Sequence, residues 1–140
     1  MYRVIFVILI AIILNGCNKP IAQPEGKVIV DSENYLMMPG DYQWKEKDIE
    51  IKTLSSLDNN GLADVFETLE VGKGDTIKFE IDQNPTSILV TKLNEDGTND
   101  NVEVKDNKLT MPMEDGYYIY VLKATWNKGK ETFVFDVNVK

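Results

Sequence analysis

Two periods run through this chain. Over Thr76 to Asp82, Ile77, Phe79 and Ile81 alternate with Lys78, Glu80 and Asp82, the two-residue repeat of a strand with one buried face. The repeat returns near the end. Tyr118, Tyr120, Leu122, Ala124 and Trp126 share one face of a strand and Tyr117, Ile119, Val121, Lys123 and Thr125 the other. Asn127-Lys128-Gly129 then predicts a hairpin into Thr132 to Val139, with Phe133, Phe135, Val137 and Val139 buried. Shorter strands are expected at Val28-Ile29-Val30, Asp41 to Lys45, Ile49 to Ile51, Ile88 to Val90, Val102 to Val104 and Leu109 to Met111. Turns are expected at Met38-Pro39-Gly40-Asp41, Gly72 to Asp75, Asp106-Asn107 and Glu114-Asp115-Gly116, with a loop over Asn94 to Asn101. Seven or so short strands with turns at this spacing predict an all-β, immunoglobulin-like antiparallel β-sandwich.

The second period is helical and occurs once. Leu62, Val65, Phe66 and Leu69 fall at i, i+3, i+4 and i+7, which predicts one short helix with an apolar stripe, closing an end of the core. Two turns do not hold by themselves in water, so this helix needs a sheet to lie on.

The start of the chain follows neither period. Val4 to Leu14 is an unbroken apolar run behind Arg3, as in the core of an export signal, whereas a spanning helix needs about 20 such residues. Leu14-Asn15-Gly16-Cys17 follows and resembles the lipobox of bacterial lipoproteins, with Asn15 where a smaller residue is usual. The resemblance implies cleavage between Gly16 and Cys17 and lipidation of Cys17, so that residues 1–16 are a signal peptide. Two or three acyl chains on one residue hold a protein at the membrane, where one chain does not. Residues 17–27, with Pro20, Pro24 and Gly26, are expected to be a tether, and 28–140 the domain. Ten extended residues reach ~30 Å.

Composition narrows the chemistry. The chain has 140 residues, enough for one sandwich core. It carries 15 basic and 23 acidic residues, a net charge of −8, and removal of Arg3 with the signal makes it −9. Such a surface repels phosphate, which excludes nucleic acid as a partner, and it keeps a monomer soluble. There is no histidine, which removes Ser-His and Cys-His nucleophiles and histidine-ligated metals. Glu114 and Asp115 are adjacent, point to opposite faces of an extended chain and make a poor acid-base pair. No enzyme activity and no cofactor are expected. With Cys17 lipidated, no internal disulfide can form.

Two resemblances bear on the domain. Glu114-x-Gly116-x-Tyr118-x-Tyr120 is similar to the acidic-x-Gly-x-Tyr-x-Cys pattern of immunoglobulin domains. It implies that the Tyr118 hydroxyl caps the preceding corner and that Tyr120 stands at the second cysteine's place, with Trp44 as the tryptophan at the sandwich centre. Tyr42-x-Trp44, Gly74-x-Thr76-Ile77-x-Phe79 and the stretch from Pro112 through Gly116, Ala124, Trp126 and Gly129 to Val139 resemble a group of small uncharacterised lipoproteins of low-GC Gram-positive bacteria. Many of its members have cysteine where this chain has Gln43. The resemblance implies fold and address: a lipid-anchored protein on the outer face of the cell membrane, within the envelope.

Two site readings follow from residue types. Asn94, Asp96, Asp100 and Glu103 fit the spacing of a calcium loop, although Lys92 stands at its first position and Asn99 at its eighth; an Asp96-Gly97 hairpin turn uses the same residues. Tyr35, Tyr117 and Trp126 are candidates for a cell-wall glycan platform, or else they pack the core. The function expected is a non-catalytic binding or envelope-interaction module, or alternatively an inhibitor or sensor that meets an envelope protein through a sheet edge.

Overall fold

The alternating segments pair into two sheets. The computed structural model describes residues 22–140, so Gly16, Cys17, the signal and the start of the tether lie outside the described residues. Among the described residues the order is β1 (Gly26–Val30), β2 (Glu33–Leu36), β3 (Met38–Glu46), β4 (Ile49–Thr53), α1 (Asn59–Val65), β5 (Leu69–Val71), β6 (Thr76–Ile81), β7 (Ser87–Leu93), β8 (Asn99–Val102), β9 (Lys108–Thr110), β10 (Gly116–Trp126) and β11 (Gly129–Val139). The smaller sheet runs β2-β1-β6-β9 and the larger β4-β3-β11-β10-β7-β8, with β5 beside the last residues of β11. All pairings are antiparallel except that of β5 with β11. The fold is a β-sandwich with one short helix. In its smaller sheet β1, β6 and β9 follow the order of immunoglobulin strands A, B and E; in the larger, β7, β10 and β11 follow C, F and G.

The core lies between the sheets. Val28, Phe79 and Leu109 from the smaller sheet and Tyr120, Leu122, Phe135 and Val137 from the larger are fully buried in one cluster. Tyr120 stacks on Phe135 with ring centroids 5.0 Å apart. The Tyr118 hydroxyl donates to the Glu114 carbonyl at 2.8 Å, as the immunoglobulin pattern implies for the corner before the F-like strand. Trp44 is buried and meets Trp126 edge-on at 5.4 Å. It comes from β3, however, one of four strands lying between the A-like and B-like strands, and not from β7 in the C-like place.

Several boundaries differ from the sequence reading. β1 starts at Gly26, Pro24 is buried, and Glu25 and Asp82 exchange two hydrogen bonds of 2.9 Å. The domain therefore includes residues 22–27, which the proline and glycine content suggests are tether. Met38-Pro39-Gly40 belongs to β3 and is no turn; β4 pairs only from Tyr42 onward, so the donor that Pro39 lacks is not required there. Asn99 to Asn101 are strand, which shortens the 94–101 loop. The last hairpin turns on Asn127-Lys128, with Gly129 already opposite Trp126.

The helix also departs from expectation. Asp58 caps it, its Oδ1 accepting from the Gly61 N–H at 2.8 Å, but Phe66 is extended and ends it. Leu62 and Ala63 are buried while Val65 is 60% exposed, so the apolar stripe breaks after one turn. Phe66 instead packs edge-on to Phe135, and Leu69 joins β5 opposite Val137. A helix turn and a strand share the spacing that reads as one helix. α1 lies on the outer face of the larger sheet against Ile119, Val121 and Val134, while Phe66 at its end enters the main core.

Gly129 marks the tightest backbone approach. A Cβ there would sit 2.0 Å from the Gln43 carbonyl oxygen and 2.8 Å from the Trp44 ring. Gly129→Ala is expected to force β3 from β11 and lower stability by about 2–3 kcal/mol, read as a fall in the urea midpoint; an unchanged midpoint would show that β3 yields freely.

Candidate functional site

The residues singled out by sequence do not converge. Asn94 to Thr98 form the β7–β8 hairpin loop, with the Asn94 N–H donating to the Thr98 carbonyl and Gly97 at φ +88°. Asp96 accepts from the Thr98 N–H and hydroxyl, and Asp100 from the Asn94 amide at 2.8 Å. Asp100 also pairs with Lys92 at 3.6 Å. The Thr98 hydrogen bonds hold the Asp96 carboxyl below its usual range. Glu103 lies past the end of β8, and among the described residues no three acidic side chains gather as a metal site would need. Trp126 is buried in the core, Tyr117 is on the helix side of β10, and Tyr35 is on the smaller sheet. They share no surface, so these three form no common platform.

Two buried carboxyls escape the sequence reading. Glu131 faces inward from β11 and is 2% exposed. Its Oε2 accepts from the Gln23 side-chain amide at 2.7 Å, while Oε1, the Tyr42 hydroxyl and the Trp44 Nε1 have no partner. Burial pushes Glu131 up to about 7, and the nearby Asp82 and Glu25 push the same way. Asp136 faces outward from β11 beneath the segment after α1, accepting from the Thr68 hydroxyl at 3.1 Å and from the Tyr117 hydroxyl. Burial raises it as well, and burial first, then Asp136, raises Tyr117 strongly. Each was visible as an acid within the alternation of β11, Glu131 in phase with Phe133 and Asp136 between Phe135 and Val137. Both are sealed by protein, and they fasten segments that cross the sheet: Glu131 the amino-terminal residues, Asp136 the helix crossover.

An open surface lies beside α1. The helix covers the outer face of the larger sheet only around Ile119, Val121 and Val134. Toward the β10–β11 turn the same face is uncovered and forms a trough of about 660 Å³, walled by the 54–58 loop. Register places Lys52, Gln43, Lys130 and Thr125 in one row across β4, β3, β11 and β10. Lys123 stands two residues along β10, opposite Leu89 on β7. Lys52, Lys123 and Lys130 are exposed and make no ion pair among the described residues. The acids at the rim have partners: Asp41 accepts from the Ser55 N–H at 2.8 Å and Asp58 caps α1. Leu54, Leu57 and Leu89 line the trough and are 68%, 43% and 66% exposed.

A second groove, about 630 Å³, separates the free edges of β8 and β9. Tyr120, whose hydroxyl has no partner, lines it with three lysines and three acids, Lys92, Lys105, Lys108, Asp100, Glu103 and Asp106. Acids line the trough too, but Glu131 is buried beneath it, which leaves three exposed lysines against Asp41 and Asp58, whereas in the groove Lys92 already pairs with Asp100 and the charges are equal in number. No described helix is long and apolar enough to cross a membrane.

The folded pKa of Glu131 is raised, so from about pH 4.5 to 7 the folded protein keeps a proton that the unfolded chain has released. Stability should therefore fall as pH rises through that window. Glu131→Gln, which still accepts from Gln23, is expected to flatten the fall and to exceed the parent at pH 8 by on the order of 2–3 kcal/mol. Asp136 leaves a residual slope of the same sign. Identical slopes in denaturant titrations would refute the assignment.

No family model matches this chain, and no significant similarity to a curated protein or to a solved structure is found.

Proposed function

We propose that this protein is a non-catalytic binding module, lipid-anchored through Cys17 at the outer face of the cell membrane, and that the trough beside α1 is its binding surface. The trough carries the proposal. In an acidic chain three unpaired lysines lie on a part of the sheet face that the helix leaves open, and three exposed leucines, Leu89 on β7 and Leu54 and Leu57 in the wall, line the same trough. The address rests on sequence: an apolar run too short to span, followed at once by a lipobox-like Leu14-Asn15-Gly16-Cys17. The lack of catalysis rests on chemistry, since the chain has no histidine and the two carboxyls that burial raises, Glu131 and Asp136, are sealed from solvent. Contact through a sheet edge is the second reading, favoured by the free edges of β8 and β9 that face the other groove.

Two measurements on intact cells test the two halves. Cys17→Ser is expected to lose palmitate labelling and to release the protein into the medium; a variant equally cell-bound and equally trimmed would overturn the anchor. A photo-crosslinking residue in place of Thr125 in the trough should give a discrete adduct, and one in place of Lys78 on the smaller sheet should not. Adducts from Lys78 alone would remove the trough as the binding surface.

A further inference from the structure

The trough has an order as well as a charge. Crossing the larger sheet from β4 to β7, one meets Lys52 with Leu54 two residues on, then Lys130, then Lys123, then Leu89, while Leu57 stands in the wall. Strands lie about 4.8 Å apart and residues about 3.4 Å apart along a strand. On that grid Lys52 and Lys130 are ~10 Å apart, Lys130 and Lys123 ~8 Å, and the three span ~16 Å from end to end. That is the length of about five extended residues. The sequence of surfaces is apolar, cationic over five residues, apolar.

We propose that the trough binds an extended segment of a protein partner, with a centre of about three carboxylates flanked at both ends by apolar side chains. The inference rests on the reading of the trough as the binding surface and adds the chemistry of its occupant. Three ammonium groups without partners give complementarity to carboxylates, and an acidic protein gains little attraction for any anion elsewhere on its surface. The leucines at the two ends reject a purely polar polyanion, which would leave them in water. A single chain also fits the shape. Residues 54–58 and α1 wall the trough on one side, so an extended segment can lie along it, whereas a flat bilayer of anionic lipid meets that wall and a strongly acidic protein around it. Glycan is disfavoured because the trough offers no exposed ring to stack on: Tyr42, its one aromatic lining residue, is 3% exposed.

The binding mode differs from strand addition. The segment would run across five strands over side chains, so its backbone need not pair with any of them, and sequence order in the partner would set register and direction. Attraction through three lysines should weaken steeply with salt, while the leucine ends retain part of the affinity.

The test uses the full chain in phosphatidylcholine vesicles and a synthetic peptide, Leu-Leu-Glu-Ser-Glu-Ser-Glu-Leu-Leu, with its three glutamates changed to glutamine as one control and its order scrambled as another. Binding is read by fluorescence anisotropy, and lysine protection by brief acetylation with mass spectrometry. The expected result is saturable binding of the acidic peptide, at least tenfold weaker for either control peptide. A protein carrying Lys52→Glu, Lys123→Glu and Lys130→Glu together should lose at least tenfold as well. The peptide should protect Lys52, Lys123 and Lys130 from acetylation and leave Lys78 reactive. All three lysines are exposed, so an unchanged melting temperature checks that the variant folds. Absence of binding up to about 1 mM peptide, or binding that the variant and the glutamine control leave intact, overturns the proposal. So does protection of the three lysines by vesicles containing phosphatidylglycerol with no peptide present. In that case the surface binds a membrane: the occupant is wrong and the trough remains the binding surface. If the photo-crosslinker at Thr125 also gives no adduct in cells, the trough itself is refuted.

Discussion

The pairing of β10 with β11 is the constraint on which the rest of the molecule depends. It runs over eleven residue pairs from Gly116 opposite Val139 to Trp126 opposite Gly129; its inner face is buried against the smaller sheet, and α1 covers its outer face around Ile119, Val121 and Val134. Tyr120, Leu122, Phe133, Phe135 and Val137 point into the space between the sheets; Ile119, Val121 and Val134 point out, under α1. A ribbon buried on one face and partly on the other has no free choice of register, because a slip of one residue would carry Lys123 and Thr125 inward and expose the aromatic side chains. β7, β3 and β5 then add to its two long edges. With no disulfide available, this ribbon supplies the rigidity that a B–F bridge gives to many immunoglobulin domains.

The same ribbon explains why the polar residues sit where they do. Along its outer face the covering ends after one short helix, and beyond that limit Lys123, Thr125 and Lys130 are exposed and Thr132 is half-buried. Within the covered parts, Glu131 and Asp136 take positions that a purely apolar strand would fill. Each buried acid costs stability unless it is satisfied, and each holds a hydrogen bond from a segment distant in sequence: Gln23 is 108 residues from Glu131, and Thr68 is 68 residues from Asp136. The exchange is stability for position. Pieces with little apolar surface of their own are fixed to the sandwich by a polar contact whose loss leaves an unpaired group behind.

Much of this was legible in the chain. Alternation placed β6, β10 and β11 with their buried faces correct, since a two-residue period over six or more positions has few other readings. The corner tyrosine was legible because it depends on a local spacing, Glu114 to Tyr118, in which the hydroxyl reaches back four residues. What was lost depends on distance. β2 and β5 are four and three residues long and carry no period that marks them; they exist because β1 and β11 offer them an edge. Val65 fits the helical stripe by number alone, and only the early stop at Phe66 leaves it in solvent. The trough was invisible for the same reason: Lys123 and Lys130 share one hairpin, but Lys52 is 71 residues before Lys123 and becomes their neighbour only through the register of four strands. Glu131 and Asp136 carried a readable signal, an acid in the middle of an apolar strand, which by itself names no partner.

The way the chain arrives at its domain has a mechanical side. Any pull on the residues ahead of Ala22 first meets three small grips: the Gln83 amide on the Ala22 carbonyl, Gln23 on Glu131, and the paired hydrogen bonds of Glu25 with Asp82. These are loaded before β1, so they act as a fuse that parts before the sandwich is strained. The middle one ends on a carboxyl that burial raises toward neutrality, so the acceptor that holds Gln23 changes its charge with the acidity of the surroundings.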